Sequence, residues 1–305
     1  MKIHGDADWA SFPSYLDPLT EIALGSLRRH GLTVTVFVVG QDAALGKNAK
    51  AMRAIADAGH EIANHSFSHE PWFHTYSYDK VEREIADAEK AIERATGHRP
   101  RGFRGPGFSL SNDTLRVLTE REYLYDASTF PTFVGPLARA YYFLTSGNLS
   151  KEEREKRKKL FGTVRDGLRD LRPYVFTSPA PRSWELLEIP VTTLPFARIP
   201  MHMSYILYLA THSLALARAY IRTALALVRK ADLELSFLLH PLDFLGNDRV
   251  DKLSFFPGMR MPTDFKLRLF DEVMTLIGDS FETVTMSAHA RVLLDSGRLK
   301  RTSLS

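Results

Sequence analysis

The run Leu32-Thr33-Val34-Thr35-Val36-Phe37-Val38-Val39-Gly40 limits the fold more than any other stretch of this chain. It is almost continuously apolar or β-branched and lacks the polar alternation of a strand with one wet face, so it predicts a strand covered on both sides. Such strands belong to parallel sheets with helices on both faces. The flanking patterns agree. Upstream, Leu16, Leu19, Ile22, Ala23 and Leu27 keep a 3.6-residue period and predict a helix from Leu16 to His30, ended by Gly31. Downstream, a helix is expected from Asn48 to Ala58 with Gly59 behind it, then a strand from His60 to Asn64. The order is βαβαβ.

The alternation continues for some distance. Val81, Ile85, Ala88 and Ile92 share one face of a helix expected from Ser77 to Thr96, which Gly97 closes. A strand and turn over Gly102 to Phe108, an N-cap at Ser111 and a strand from Tyr123 to Ser128 follow. Ahead of all these, Met1 to Gly5 reads as a short strand that delivers Asp6 and Asp8 at its C-terminal end, where barrel enzymes carry catalytic groups. From Pro131 to about Pro200 the pattern breaks into an aromatic patch (Tyr141 to Leu144), a charge run (Lys151 to Lys159) and prolines. An apolar helix is then expected from Met203 to Val228, a strand from Leu233 to Leu239, a helix ending near Ile277 and a strand from Phe281 to Met286. With 305 residues, 44% of them hydrophobic, the chain can bury the core of one large α/β domain. The expectation is a single domain over 1–305, with an insertion at about 131–230 covering one end of a barrel.

Chemistry concentrates at Ala63-Asn64-His65-Ser66-Phe67-Ser68-His69, directly after an expected strand. Two neutral imidazoles four residues apart can hold a divalent ion if a third ligand, usually a carboxylate, arrives from elsewhere. Three other stretches keep company with this pair. They are Asp6-Ala7-Asp8-Trp9, Arg104-Gly105-Pro106-Gly107-Phe108 and Leu238-Leu239-His240-Pro241.

In that order, Asp-x-Asp, His-Ser-x-x-His, Arg-x-Pro and Leu-x-His resemble the motifs of the polysaccharide deacetylases (NodB homology, carbohydrate esterase family 4). The resemblance spans about residues 1–130 and 230–290. It implies a distorted, TIM-like (β/α)7 barrel with an inserted helical segment, and a hydrolase that removes an N-acyl, above all N-acetyl, group from an amino sugar. It further implies a divalent metal on Asp8, His65 and His69, with zinc the first choice and cobalt, nickel, manganese or magnesium as alternatives. Asp6 would be the general base, held by Arg104, and His240 the general acid. The backbone N–H of Gly107, after Pro106, would sit at the oxyanion, where the family usually has Tyr. Asp126 is the one candidate for the acidic group that tunes the acid His, and Trp9, Trp72 and Phe108 are candidates for sugar stacking. The first motif departs from the usual Thr-Phe-Asp-Asp-Gly, because Ala7 separates the two carboxylates.

Charge and composition narrow the partners. A net charge of +4 is too small to argue for nucleic acid. The chain has no cysteine, so disulfides and thiolate chemistry are excluded. Arg218 and Arg222 inside the apolar helix argue against a transmembrane span, since each costs about 2.5–3.5 kcal/mol at a bilayer centre. A peripheral contact with anionic membrane remains open, as does a lipid-linked sugar as substrate. No Lys/Arg-plus-apolar leader opens the chain, so the expectation is a cytoplasmic protein, membrane-associated or with an incomplete start. The competing readings are a small-amide or formamide hydrolase on the same barrel and a non-catalytic carbohydrate-binding barrel.

Overall fold

The computed structural model describes residues 14–133, 164–178, 183–250 and 258–304. The expected first strand, Asp6, Asp8, Trp9, the Tyr141–Leu144 patch and the Lys151–Lys159 run lie outside the described residues.

From Leu16 to Asn64 the helix-strand-helix-strand alternation stands as the sequence predicts, while the strand expected ahead of it lies outside the described residues. Helix α1 (Leu16–Arg29) leads to strand β1 (Thr35–Val38), and a short α2 (Gly40–Ala44) and α3 (Ala49–Asp57) lead to β2 (Glu61–Asn64). Next come α4 (Tyr78–Thr96), β3 (Gly102–Phe103), α5 (Asn112–Glu120) and β4 (Tyr125–Asp126). Strands β1 to β4 are parallel neighbours in sequence order, with Val38 opposite Asn64, Asn64 opposite Phe103 and Phe103 opposite Asp126. Helix α4 shows why the pattern works. Val81, Ile85, Ala88 and Ile92 are fully buried, while Gly97 takes the left-handed cap (φ 77°) that a helix end of this kind requires. Truncating Ile85 or Ile92 to Ala would cost about 2–5 kcal/mol, as for other filled core positions. Gly40 lets α2 approach α4 closely, for a Cβ there would lie 2.5 Å from the Ala88 Cα.

The second half differs from expectation in four places. After one helical turn, α6 (Val164–Gly167), strands β5 (Tyr174–Thr177) and β6 (Glu185–Glu188) join the sheet, β6 parallel to β4 and β5 antiparallel to β6. Part of the supposed insertion is therefore sheet. Leu186 and Leu187 are buried and fill the edge that β4 leaves. The apolar helix is two helices, α7 (Met203–His212) and α8 (Leu214–Lys230), because Ser213 is extended (φ −160°, ψ 122°) and its side chain caps the second by accepting from the Leu216 N–H. Residues 233–239 are extended but pair with no strand. Their backbone bonds to Thr192, to the Met203 N–H through the Leu238 carbonyl and to the Val228 carbonyl through the Leu233 N–H, while Leu233, Leu235, Phe237 and Leu239 alternate into the core. Residues 281–285 are likewise unpaired among the described residues and lead straight into α10 (Met286–Ser296), preceded by α9 (Thr263–Gly278). The tail supplies β7 (Lys300–Thr302), parallel to β5.

The sheet order is β1-β2-β3-β4-β6-β5-β7, an α/β layer that is not closed into a barrel among the described residues. Its largest apolar cluster joins α1, α7, α8 and α9, with Ile206, Ile221, Val228, Phe270 and Val273 almost wholly buried.

Candidate active site

The C-terminal ends of the parallel strands converge on one place. β2 ends at Asn64 and delivers His65, β3 ends at Phe103 and delivers Arg104, and β4 ends at Asp126. The His65–His69 turn is held by its own polar groups. Asn64 Oδ1 accepts from the Ser66 N–H (2.8 Å), Ser66 Oγ from the His69 N–H (3.2 Å), and Glu84 Oε2 from both Phe67 and Ser68 N–H (3.1 and 2.8 Å). Ser66 and His69 adopt positive φ (61° and 55°), which folds the turn back so that the two rings stand 4.8 Å apart.

The tautomer of His65 follows from one contact. Its Nδ1 lies 2.6 Å from the Arg104 carbonyl oxygen, which can only accept, so Nδ1 carries the proton and the Nε2 lone pair is left for a ligand. Burial, with the His69 ring second, pushes the His65 imidazole down to about 3. It is neutral at any physiological pH. A neutral imidazole with an oriented lone pair beside a second His is the donor set that a divalent metal takes from helices and loops. No group of three His, Cys, Asp or Glu suited to a metal occurs among the described residues, and the third proposed ligand, Asp8, falls outside them.

Arg104 is buried. Its Nε donates to the Ala127 carbonyl (2.8 Å) and its guanidinium stacks on Phe37, 4.3 Å from the ring centroid. Burial lowers it to about 10, so it stays cationic at neutral pH. The negative charge facing it comes from Asp126 and Glu188, register partners on β4 and β6. Both are fully buried, and two carboxylates so close cannot both ionise cheaply. Burial and the Asp126 carboxylate hold Glu188 well above its usual range, and burial raises Asp126 as well.

Asp126 does not line the cavity that holds His240. Its Oδ1 accepts from the Ser128 hydroxyl (2.6 Å), and Ser128 Oγ accepts from the Gly105 N–H (2.7 Å), so Asp126 anchors the Arg104-Gly105-Pro106-Gly107 loop from behind. In that loop Gly107 has φ +60°, a conformation that favours glycine. The Tyr usual at this position would be strained there.

His240 closes the site from the other wall. Ser204 Oγ donates to Asp243 Oδ1 (2.7 Å) and so can only accept from His240 Nδ1 (2.8 Å), which places the Nδ1 proton on that contact. Asp243 Oδ2 also accepts from the His240 N–H (2.7 Å). Lys266, itself buried, donates to the Leu242 and Leu245 carbonyls (2.7 and 2.6 Å) and keeps the 241–245 turn closed. Burial, joined by Arg104, pulls His240 below its ordinary value, while Asp243 pulls it up. The sequence reading missed Ser204, Asp243 and Lys266. Asp243 stands three residues after His240 in a capping-box arrangement, and that spacing was the available signal.

His65, His69, Arg104, Gly107, Phe108 and His240 line one cavity of about 1280 Å³. Trp72, a stacking candidate, does not line it. Phe108 does, with its ring 4.7 Å from Phe130.

Residues 10–125 match the polysaccharide deacetylase family model. This segment belongs to that family. Around it, the chain is 31% identical over 139 residues to a peptidoglycan deacetylase-like protein of Gibberella zeae, covering 45% of this chain and 36% of that protein. It is 29% identical over 101 residues to a peptidoglycan-N-acetylglucosamine deacetylase of Bacillus cereus, covering 33% and 36%. A Helicobacter pylori peptidoglycan deacetylase matches at 27% over 171 residues, covering 52% and 56%. The chain thus spans about a third to a half of the length of these curated relatives. A candidate polysaccharide deacetylase from Mycobacterium smegmatis superposes with a TM-score of 0.60 at 19% identity, over 94% of this chain and 80% of that one, and so shares its fold. The deacetylase segment carries His65, His69, Arg104 and Gly107 but not His240.

Proposed function

We propose that the protein is a metal-dependent hydrolase that removes an N-acetyl group from an amino sugar in a polysaccharide or glycolipid. The observation that carries this reading is the oriented, neutral His65 beside His69, facing His240 across one cavity. Asp8, His65 and His69 would hold the ion, zinc or another divalent metal, which supplies a polarised carbonyl and an acidified water. Asp6 would accept the proton of that water. His240 would hand a proton from Nε2 to the departing amine while Ser204 and Asp243 hold the ring and favour its charged form. The Gly107 N–H would donate to the oxygen that gains charge. Arg104 fixes His65 through its own carbonyl. A carbohydrate partner and a cytoplasmic location, with or without contact to membrane, complete the proposal. Metal content and acetate release from N-acetylglucosamine oligomers, measured on wild type and on His65→Ala, test it. Metal and activity should vanish together, and acetate release by a metal-free variant would overturn it.

A further inference from the structure

Helix α7 lies outside the family segment, yet it touches the site and continues beyond it. Ser204, which holds His240, sits in its first turn, and Tyr208 and His212 follow at intervals of four residues on the same face. At a rise of 1.5 Å per residue, Tyr208 is about 6 Å and His212 about 12 Å further along the helix than Ser204. Successive rings bridge that length. His240 to His202 is 5.7 Å between centroids, His202 to Tyr205 6.4 Å, Tyr205 to Tyr208 6.3 Å and Tyr208 to His212 5.1 Å.

Tyr205 and Tyr220 form the backing of this ladder. Their rings meet at 5.5 Å and the Tyr220 hydroxyl is spent on the Pro200 carbonyl (2.6 Å). Tyr208 is the member that projects. It is 51% exposed and, with Ser204 and Leu207, lines the same cavity as His240. Large aromatics on a surface usually mark a binding site when they are rigidly backed and continuous with a cleft. The α7 segment, MSYILYLATH, contains no Asp, Glu, Lys or Arg. Its chemistry is that of flat apolar faces edged by hydroxyl and imidazole groups, which suits the apolar face and hydroxyl rim of a pyranose. An anionic lipid surface would want free cations instead, and Arg218 on the neighbouring helix is held by a bidentate pair with Glu272 (2.6 and 2.7 Å).

We propose that Tyr208, backed by Tyr205 and flanked by His212, is a remote subsite that stacks a second sugar of a neutral, N-acetylated amino-sugar chain whose reacting residue lies at His65, His69 and His240. This deepens the deacetylase reading and names its substrate as a chain rather than a single sugar. Binding energy collected there would be used on the reacting residue, so longer substrates would react better.

Two measurements test it. In the first, kcat/KM is compared for the dimer and the hexamer of N-acetylglucosamine. Tyr208→Ala should lower the hexamer-to-dimer ratio by about tenfold, the size of one lost aromatic contact, and Tyr208→Trp should restore it. In the second, hexamer binding is followed by calorimetry in His240→Ala, which does not depend on turnover. Adding Tyr208→Ala there should raise Kd by about tenfold. Equal losses on dimer and hexamer, or a Kd that does not move, would overturn the subsite. So would sedimentation with anionic vesicles that Tyr208→Ala abolishes, since the face would then bind lipid. Hexamer binding through Tyr208 by a wild type that releases no acetate would keep the subsite and sink the deacetylase reading instead.

Discussion

On the His65 wall, Asn64 and Ser66 lie within four residues, Glu84 on α4 is 16 residues from Ser68, and the Arg104 carbonyl follows the adjacent strand. On the His240 wall, the ring depends on Ser204, 36 residues away, and the turn after it on Lys266, 24 residues from Leu242. The first wall belongs to the family segment and the second does not. A metal-binding wall tolerates little, because ligand direction decides affinity, and local bonds to consecutive N–H groups give that precision cheaply. A proton-donating wall needs only a ring held at one nitrogen within reach of the leaving group. Distant parts of the chain can supply that, and can vary with the substrate.

If this contrast is right, damage to the two walls should look different. His65→Ala should abolish bound metal, measured by elemental analysis, and bring activity to background, a larger loss than the roughly 10–100-fold expected from removing a partner one layer out. Wild-type metal content in that variant would break the contrast at once. His240→Ala should lower kcat by roughly 10²–10⁴ while metal content stays put, and the pH–rate profile should lose its basic limb.

Asp243→Asn sharpens the comparison on the second wall. The Asp243 charge raises the His240 value, so removing it should move the basic limb to lower pH and reduce kcat by about tenfold or less, the share of one charge-assisted contact. Asp126→Asn acts instead on the loop that carries Gly107 and should leave the position of that limb where it was. A shift in the limb for Asp126→Asn and none for Asp243→Asn would reverse the assignment.

The smallest effect concerns stability. Burial holds His202 at about 4, below the 6.5 of an unfolded chain, so between those values the unfolded state binds the extra proton. Stability should therefore fall as pH falls through that window, by up to about 1.4 kcal/mol per unit for this one group. His202 also caps α7 by accepting from the Tyr205 N–H, a task Asn performs well. Urea unfolding of His202→Asn at pH 7 and pH 5 should show a shallower loss than wild type, and an identical slope would mean that His202 does not titrate in this range.

The legible part of the molecule is the part whose information is local. Helices α1, α3 and α4 are placed within about two residues by apolar spacing and by the glycines behind them, and Ser111 caps α5 through the Thr114 N–H as its residue type suggests. The His pair is legible because a four-residue interval survives any turn tight enough to bring both rings together. Tyr174–Thr177 and Glu185–Glu188 were opaque for the opposite reason. Strands of four residues carry little periodicity, and masking prolines and charges surround them. The extended run 233–239 has a strand's alternation and a strand's burial. Only its backbone partners, Thr192, Met203 and Val228 rather than a neighbouring strand, distinguish it from one.

Alone, then, the sequence determined the helix-strand alternation from Leu16 onward, the parallel sheet, and the two imidazoles at the end of β2, since each depends on side-chain spacing within a dozen residues. Tertiary structure decided what spacing cannot encode: that β6 pairs alongside β4, that Asp126 is buried beside Glu188 and supports a loop through Ser128, and that Asp243 speaks to His240 through Ser204. Those outcomes rest on which distant backbone comes to lie alongside. That is settled by packing of the α1, α7, α8 and α9 core and by strand register, where moving a chain by one residue would turn each of these carboxylates to the other face of the sheet or turn.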